Sequence, residues 1–142
     1  MKKNTHLKIR LLLICFCLCH LTTNATPLHI TAGNPLTINS GTYTYDYILA
    51  EDVLTVGPGV TLISNDYISV DNGGAIILSG SSTSSTEISA ATTINVLNGR
   101  LILKGHATAL STGDISVSGA SSGLGCLGSN NTITTGGNLL IE

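Results

Sequence analysis

The chain has 142 residues and a formal net charge of −2, with 42% hydrophobic and only 10% charged residues. So many aliphatic residues beside so few charges exclude an intrinsically disordered protein. With no Trp and a single Phe, the apolar mass is mostly Ile, Leu, Val and Ala, which favours a narrow, layered core.

The first 25 residues have the layout of a secretory signal peptide. Basic residues precede an apolar run over 11–21, and Thr23-Asn24-Ala25 supplies small residues before a cleavage site. This run is shorter than the roughly 20 residues that span a bilayer. We therefore predict a cleaved signal peptide over 1–25, a secreted or cell-surface protein, and no transmembrane segment in the mature chain. An uncleaved anchor is the alternative.

Cleavage after residue 25 leaves an acidic chain. Only Arg100 and Lys104 remain of the six basic residues, against eight acidic ones, so the net charge becomes 2 − 8 = −6. Two cations cannot hold a nucleic-acid backbone by counterion release, so the charge predicts no nucleic-acid partner. Three of the four cysteines are also removed, which leaves Cys126 alone. Its Gly-Leu-Gly-Cys-Leu-Gly context predicts a buried, inert thiol, with an intermolecular bridge as the alternative.

After a lead-in segment over 26–41, short β-branched runs alternate with Gly and Asn turns, and no capped helical pattern occurs. The phrase Val-x-Asn-Gly recurs at Val70–Gly73 and Val96–Gly99. This spacing suits a coil of three short strands and three turns, which needs roughly 20 to 29 residues. We therefore predict an all-β fold, a β-solenoid of about four to five coils over 42–142. An antiparallel sandwich is the alternative.

These repeats resemble the right-handed parallel β-helix of secreted bacterial surface proteins, such as autotransporter passengers and filamentous-haemagglutinin-like adhesins. The resemblance covers about 54–142 and implies that Asn72 and Asn98 stack as a ladder at equivalent turns. It also implies a structural or adhesive role without catalysis, with a surface carbohydrate or a host protein as partner.

The last strand-like run, Asn138–Ile141, has no polar cap after it. A terminal coil without a cap exposes apolar side chains and unpaired backbone groups. We therefore expect either end-to-end self-association or a fragment of a longer solenoid.

One set of side chains is a candidate for binding. Tyr43, Tyr45 and Tyr47 alternate, so a strand would place them on one face as a carbohydrate platform, or as a cover for the first coil. Arg100 and Lys104 share a strand face, where we expect solvated surface, with a small basic spot as the alternative, and no carboxylate pair accompanies them. A polysaccharide-active enzyme of the lyase or esterase type stays open because enzymes of that type use the same fold. The sequence shows no cluster of reactive residues and predicts no catalytic residue, no metal site and no cofactor.

Overall fold

The structure, a computed structural model, describes residues 25–142. The predicted signal peptide lies almost wholly outside these residues. Residues 25–142 form sixteen short strands and no helix. The strands are β1 Leu28–Ile30, β2 Leu36–Ile38, β3 Gly41–Tyr45, β4 Ile48–Ala50, β5 Val53–Val56, β6 Val60–Ser64, β7 Ile68–Val70, β8 Ala75–Ser79, β9 Thr86–Ala90, β10 Ile94–Leu97, β11 Arg100–Lys104, β12 Ala107–Ser111, β13 Ile115–Ser118, β14 Gly123–Leu127, β15 Thr132–Thr135 and β16 Leu139–Ile141.

Each strand pairs with the third strand before and after it, always in parallel, which produces three sheets. Sheet A contains β1, β4, β7, β10, β13 and β16; sheet B contains β2, β5, β8, β11 and β14; sheet C contains β3, β6, β9, β12 and β15. Three consecutive strands therefore form one coil, and five coils stack before β16 begins a sixth. The predicted β-solenoid is confirmed and the sandwich is excluded. The right-handed sense of the coil stays a prediction.

The coils stay in register although they differ in length. One row of sheet A pairs Leu28, Ile48, Ile68, Ile94, Ile115 and Leu139. Successive members of this row are 20, 20, 26, 21 and 24 residues apart. The longest coil contains the loop 80–85 between β8 and β9. The extra residues of longer coils therefore form loops at the corners, and the inward side chains of the strands remain aligned.

The core is a single column of aliphatic side chains. Alternate residues of each strand point inward, so β6 and β9 both show strict alternation of buried and half-buried positions. Ile, Leu and Val from all three sheets fill the column, and most of them are completely buried in the middle coils. Because each coil is thin, an internal coil buries its apolar side against its two neighbours rather than within itself.

Buried hydroxyls support the corners between strands. The Ser64 hydroxyl donates to the Tyr67 carbonyl oxygen at 2.8 Å, and the equivalent Ser111 donates to the Asp114 carbonyl oxygen at 3.2 Å. Thr86 is fully buried, and its hydroxyl contacts the carbonyl oxygens of residues 57 and 79 at 2.9 and 3.1 Å. Several of these carbonyl oxygens also accept a backbone amide, so the hydroxyls reinforce the corners.

Residues 26–41, which the sequence sets apart as a lead-in, contain β1 and β2. These strands pair with β4 and β5, so they belong to the first coil. Pro27 and Pro35 each stand directly before a strand, where the missing backbone donor interrupts no ladder bond.

Candidate functional site

The predicted row of tyrosines divides into two stacked pairs. Tyr43 and Tyr45 lie on β3, with ring centroids 6.4 Å apart and planes at 11°. Strand β3 ends at Tyr45, so the alternation stops there and the corner redirects Tyr47, which stacks on Tyr67 of the next coil at 5.2 Å. The three rings therefore do not form one continuous platform.

Tyr43 and Tyr45 occupy inward positions at the N-terminal end of the solenoid, since they pair in register with the buried Leu62 and Ser64. Tyr45 packs against the core, and Tyr43 stays 40% exposed. Burial, and to a smaller extent the neighbouring Tyr43, raises the pKa of the Tyr45 hydroxyl. This position corresponds to the alternative interpretation, in which the rings cover the first coil.

Asn72 and Asn98 occupy equivalent turns between sheets A and B, and both adopt the left-handed conformation, with φ of 51° and 53°. The backbone joins the two turns, because the Gly73 amide donates to the Asn98 carbonyl oxygen at 2.7 Å. Within residues 25–142 no hydrogen bond links the two side chains. The Asn72 side chain instead donates to Glu51 at 2.7 Å.

A short polar chain therefore crosses three coils at this corner. The His29 Nε2 atom lies 2.8 Å from one Glu51 oxygen, and the Asn72 side chain binds the other. The hydrogen bond from His29, followed by that from Asn72, holds the pKa of Glu51 below its ordinary value. No local pattern indicates this arrangement, because the partners stand 22 and 21 residues from Glu51.

The outer face of sheet B holds both cations of the described chain. On β11, Leu101 and Leu103 point into the core, so Arg100, Ile102 and Lys104 point outward, as predicted for the two cations. Arg100 and Lys104 are exposed, and neither forms a salt bridge within residues 25–142.

No acidic residue lies on a strand of sheet B. The carboxylates of the turn before sheet B are already occupied by hydrogen bonds. Asp52 accepts from the amides of Gly33 and Val53, and Asp71 accepts from the amide of Asn72. The strands of sheet B therefore carry two positive charges and no negative one, beside a turn whose carboxylates keep their charge.

Two open grooves meet on this face, and Arg100 and Ile102 line both. The larger, of about 390 Å³, lies over β5 and β8 and is bordered by small or aliphatic side chains and by the turns before the sheet. Its lining is Val53, Gly73, Ala75, Ile77, Asn98, Gly99, Arg100, Ile102 and Ser121. The smaller, of about 180 Å³, lies toward β14 and is lined by Arg100, Ile102, Gly123, Leu124 and Gly125.

Coil stacking creates these grooves. In sheet B, Val53, Ala75, Arg100 and Gly123 form one row, and Thr55, Ile77, Ile102 and Gly125 form the next row on the same face. The aliphatic residues of the second row make a ridge beside the small residues of the first. Sequence reasoning found the two cations but missed the groove, because its walls come from four coils.

The C-terminal end of the solenoid exposes inward positions. Leu139 and Ile141 pair in register with the buried Ile115 and Val117 but are 47% and 67% exposed. Cys126 is also inward by register, yet its thiol is free and exposed. The prediction of a buried thiol is therefore wrong, because no coil covers β14 within the described residues.

Residues 25–142 contain no helix long and apolar enough to cross a membrane. They also bring together no group of three or more His, Cys, Asp or Glu side chains with metal-binding geometry. Comparisons with protein-family models, with curated proteins and with solved structures found no match.

Proposed function

We propose that this chain is a secreted or cell-surface β-solenoid with a structural or adhesive role and no catalytic activity. The observation that supports the proposal most is the continuous stack of three parallel sheets around one aliphatic core. Such a stack is rigid along its axis and presents flat outer faces for contact with an extended partner.

The outer faces of sheets A and C suit contact with a hydrated surface. Their outward positions hold mainly hydroxyl and amide side chains, which can exchange hydrogen bonds with water or with a partner. Examples are Ser69, Asn95 and Ser116 in sheet A and Thr42, Thr61, Thr108 and Thr132 in sheet C.

Secretion is tested by expressing the full chain in a bacterium and locating the product. We expect a protein outside the cytoplasm whose amino terminus is Thr26. Replacing Leu13 with Arg interrupts the apolar run and should retain the uncleaved chain in the cytoplasm, whereas Lys3→Arg preserves the basic region and serves as control. A Leu13→Arg protein exported and processed like the parent would contradict the signal-peptide proposal.

Adhesion is tested with beads coated with residues 26–142 and offered to cells and to immobilised carbohydrates or host proteins. We expect beads to be retained on at least one of these surfaces, and heat-unfolded protein on matched beads is the control. Retention no greater than that control on every surface would leave only the structural role. Reproducible depolymerisation or de-esterification of a polysaccharide by the purified protein would replace the proposal with the enzyme alternative.

We also propose that the two ends of the solenoid associate. Strands β1–β3 and β14–β16 each present a free parallel edge within residues 25–142, and Leu36, Tyr43, Leu139 and Ile141 are exposed there. Sedimentation of residues 26–142 should show concentration-dependent oligomers that Ile141→Lys abolishes. Leu97→Lys is the matched control, because Leu97 is 44% exposed but lies at a corner away from both ends. Equal sedimentation of both variants and the parent would overturn end-to-end association.

A further inference from the structure

We infer that the outer face of sheet B binds an anionic polysaccharide, with an acidic group of the polymer paired to Arg100. The inference deepens the proposed adhesive function by naming a ligand class and a site, and it rests on that function. Its basis is the coincidence of two independent features, the grooves on both sides of Arg100 and the placement of both described cations on this face.

Charge selects an anionic ligand. Arg100 and Lys104 have no carboxylate partner within residues 25–142, while the nearest turn carboxylates are held by backbone amides and by Asn72. An acidic group arriving at Arg100 therefore meets an available guanidinium, which can donate two parallel hydrogen bonds to one carboxylate or sulfate.

The spacing of the cations favours a polymer over a small anion. Arg100 and Lys104 are four residues apart on one strand, so their Cα atoms lie about 13 Å apart. A single phosphate or carboxylate cannot reach both. A polysaccharide with one acidic group per sugar is less densely charged than a nucleic-acid backbone, so it can pair one group with Arg100 while Lys104 attracts another.

The grooves favour sugar rings over peptides and lipids. The central strands of sheet B already use their backbone groups in ladders, so a peptide laid on this face would find no partner for its own buried amides. An alkyl chain would stay largely in water in grooves this open. A sugar ring can place an apolar C–H face on Ile77 and Ile102 and keep its hydroxyl groups in solvent.

Gly123 and Gly125 provide a steric test. Neither has a positive φ, and a side-chain carbon added at Gly125 would meet only Ile102, at an ordinary distance of 4.0 Å. Valine is favoured in strands. Gly125→Val should therefore fill the smaller groove without disturbing the coil.

The experiment measures binding of residues 26–142 to polygalacturonate, with its fully methyl-esterified form as an uncharged polymer of the same backbone. We expect binding to the acidic polymer, weakened by added salt, and little binding to the ester. Arg100→Gln should reduce affinity about fivefold and Lys104→Gln about twofold, as for exposed ion pairs. Arg100→Lys should restore part of the loss, and Gly125→Val should reduce binding although both cations remain.

Glu87→Gln is the matched control, because it removes one negative charge from the outer face of sheet C and should not lower affinity. Equal affinity of Arg100→Gln and the parent would overturn the inference, as would equal binding of the acidic and esterified polymers. Binding of anionic phospholipid vesicles in preference to the polymer would also overturn it and identify a membrane surface instead. If coated beads still adhere to cells in any of these cases, the proposed adhesive function is retained and only the assignment of its binding site to sheet B is rejected.

Discussion

In the stacked row of sheet A, truncation of an aliphatic side chain can be compared between an internal coil and the last coil. Ile94 is fully buried between Ile68 and Ile115, whereas Leu139, the last member of the row, is 47% exposed. Truncating Ile94 to Ala removes three buried carbons, worth roughly 2.4 kcal/mol at about 0.8 kcal/mol each. The cavity left between two coils adds to this, so the expected loss is about 3–4 kcal/mol.

The same truncation at the end of the row costs much less. Because Leu139 is 47% exposed, only about half of its burial energy can be lost on truncation. Leu139→Ala should therefore cost roughly 1.2 kcal/mol and leave no enclosed cavity. The expected ratio between the two sites is thus about threefold. It follows from position along the solenoid and not from side-chain chemistry.

The assay is urea denaturation of residues 26–142 followed by circular dichroism, with native-state hydrogen exchange to locate the unfolding region. Ile94→Val is the control for conservative truncation and should cost about 0.5–1.5 kcal/mol. Amides of β16 should exchange fastest, because a terminal coil has one neighbour where an internal coil has two. Equal losses for Ile94→Ala and Leu139→Ala would refute this dependence on burial along the row.

Three further outcomes follow from individual contacts. Gly80→Ala should destabilise the protein by about 1–3 kcal/mol or more in urea denaturation, because the added carbon would overlap a backbone carbonyl group of the next coil. Thr86→Val should cost about 1–3 kcal/mol by removing the buried hydroxyl whose single proton the carbonyl oxygens of residues 57 and 79 share, and Thr86→Ser should cost less. The lowered pKa of Glu51 means that its bonds stabilise the fold above the unfolded-state pKa and are lost as pH falls through the lowered value. In a carboxyl NMR titration, His29→Ala and Asn72→Ala should each raise the pKa of Glu51 toward its ordinary value, with the larger change for His29; no change in either variant would contradict this origin.

Much of the fold follows from local sequence. The predicted short runs between Gly and Asn turns correspond to strands such as β9 and β11, because turn residues mark the corners and mostly aliphatic and β-branched residues fill the strands between them. Strands β1 and β2 were missed, since three residues beside a proline give too little alternation to recognise. Strand β2 is stabilised by its pairing with β5, a contact that the local sequence pattern does not reveal.

The sequence predicts only part of the candidate site. Alternation within β11 sufficed to place Arg100 and Lys104 on one face. The neighbours of Arg100 across the strands, Ala75 and Gly123, depend on a register that the unequal coil lengths hide. The tyrosine row shows the same limit, because nothing in its alternation indicates that a corner begins after Tyr45.

The number of strands has a geometric consequence for any assembly built end to end. The sixteen strands of residues 25–142 make five sets of three and one more, so the C-terminal edge of these residues presents β14, β15 and β16 in that order. A second copy that continued the stack would seat its β1 on β14, its β2 on β15 and its β3 on β16. Each copy would thus be turned by one sheet, about a third of a full rotation about the axis, and the contact would propagate without closing. The groove around Arg100 would point in a new direction on each copy and return to the first after three. Such a fibre would offer its positive face on all sides, as suits a filament embedded in a surrounding matrix rather than one laid flat against a surface.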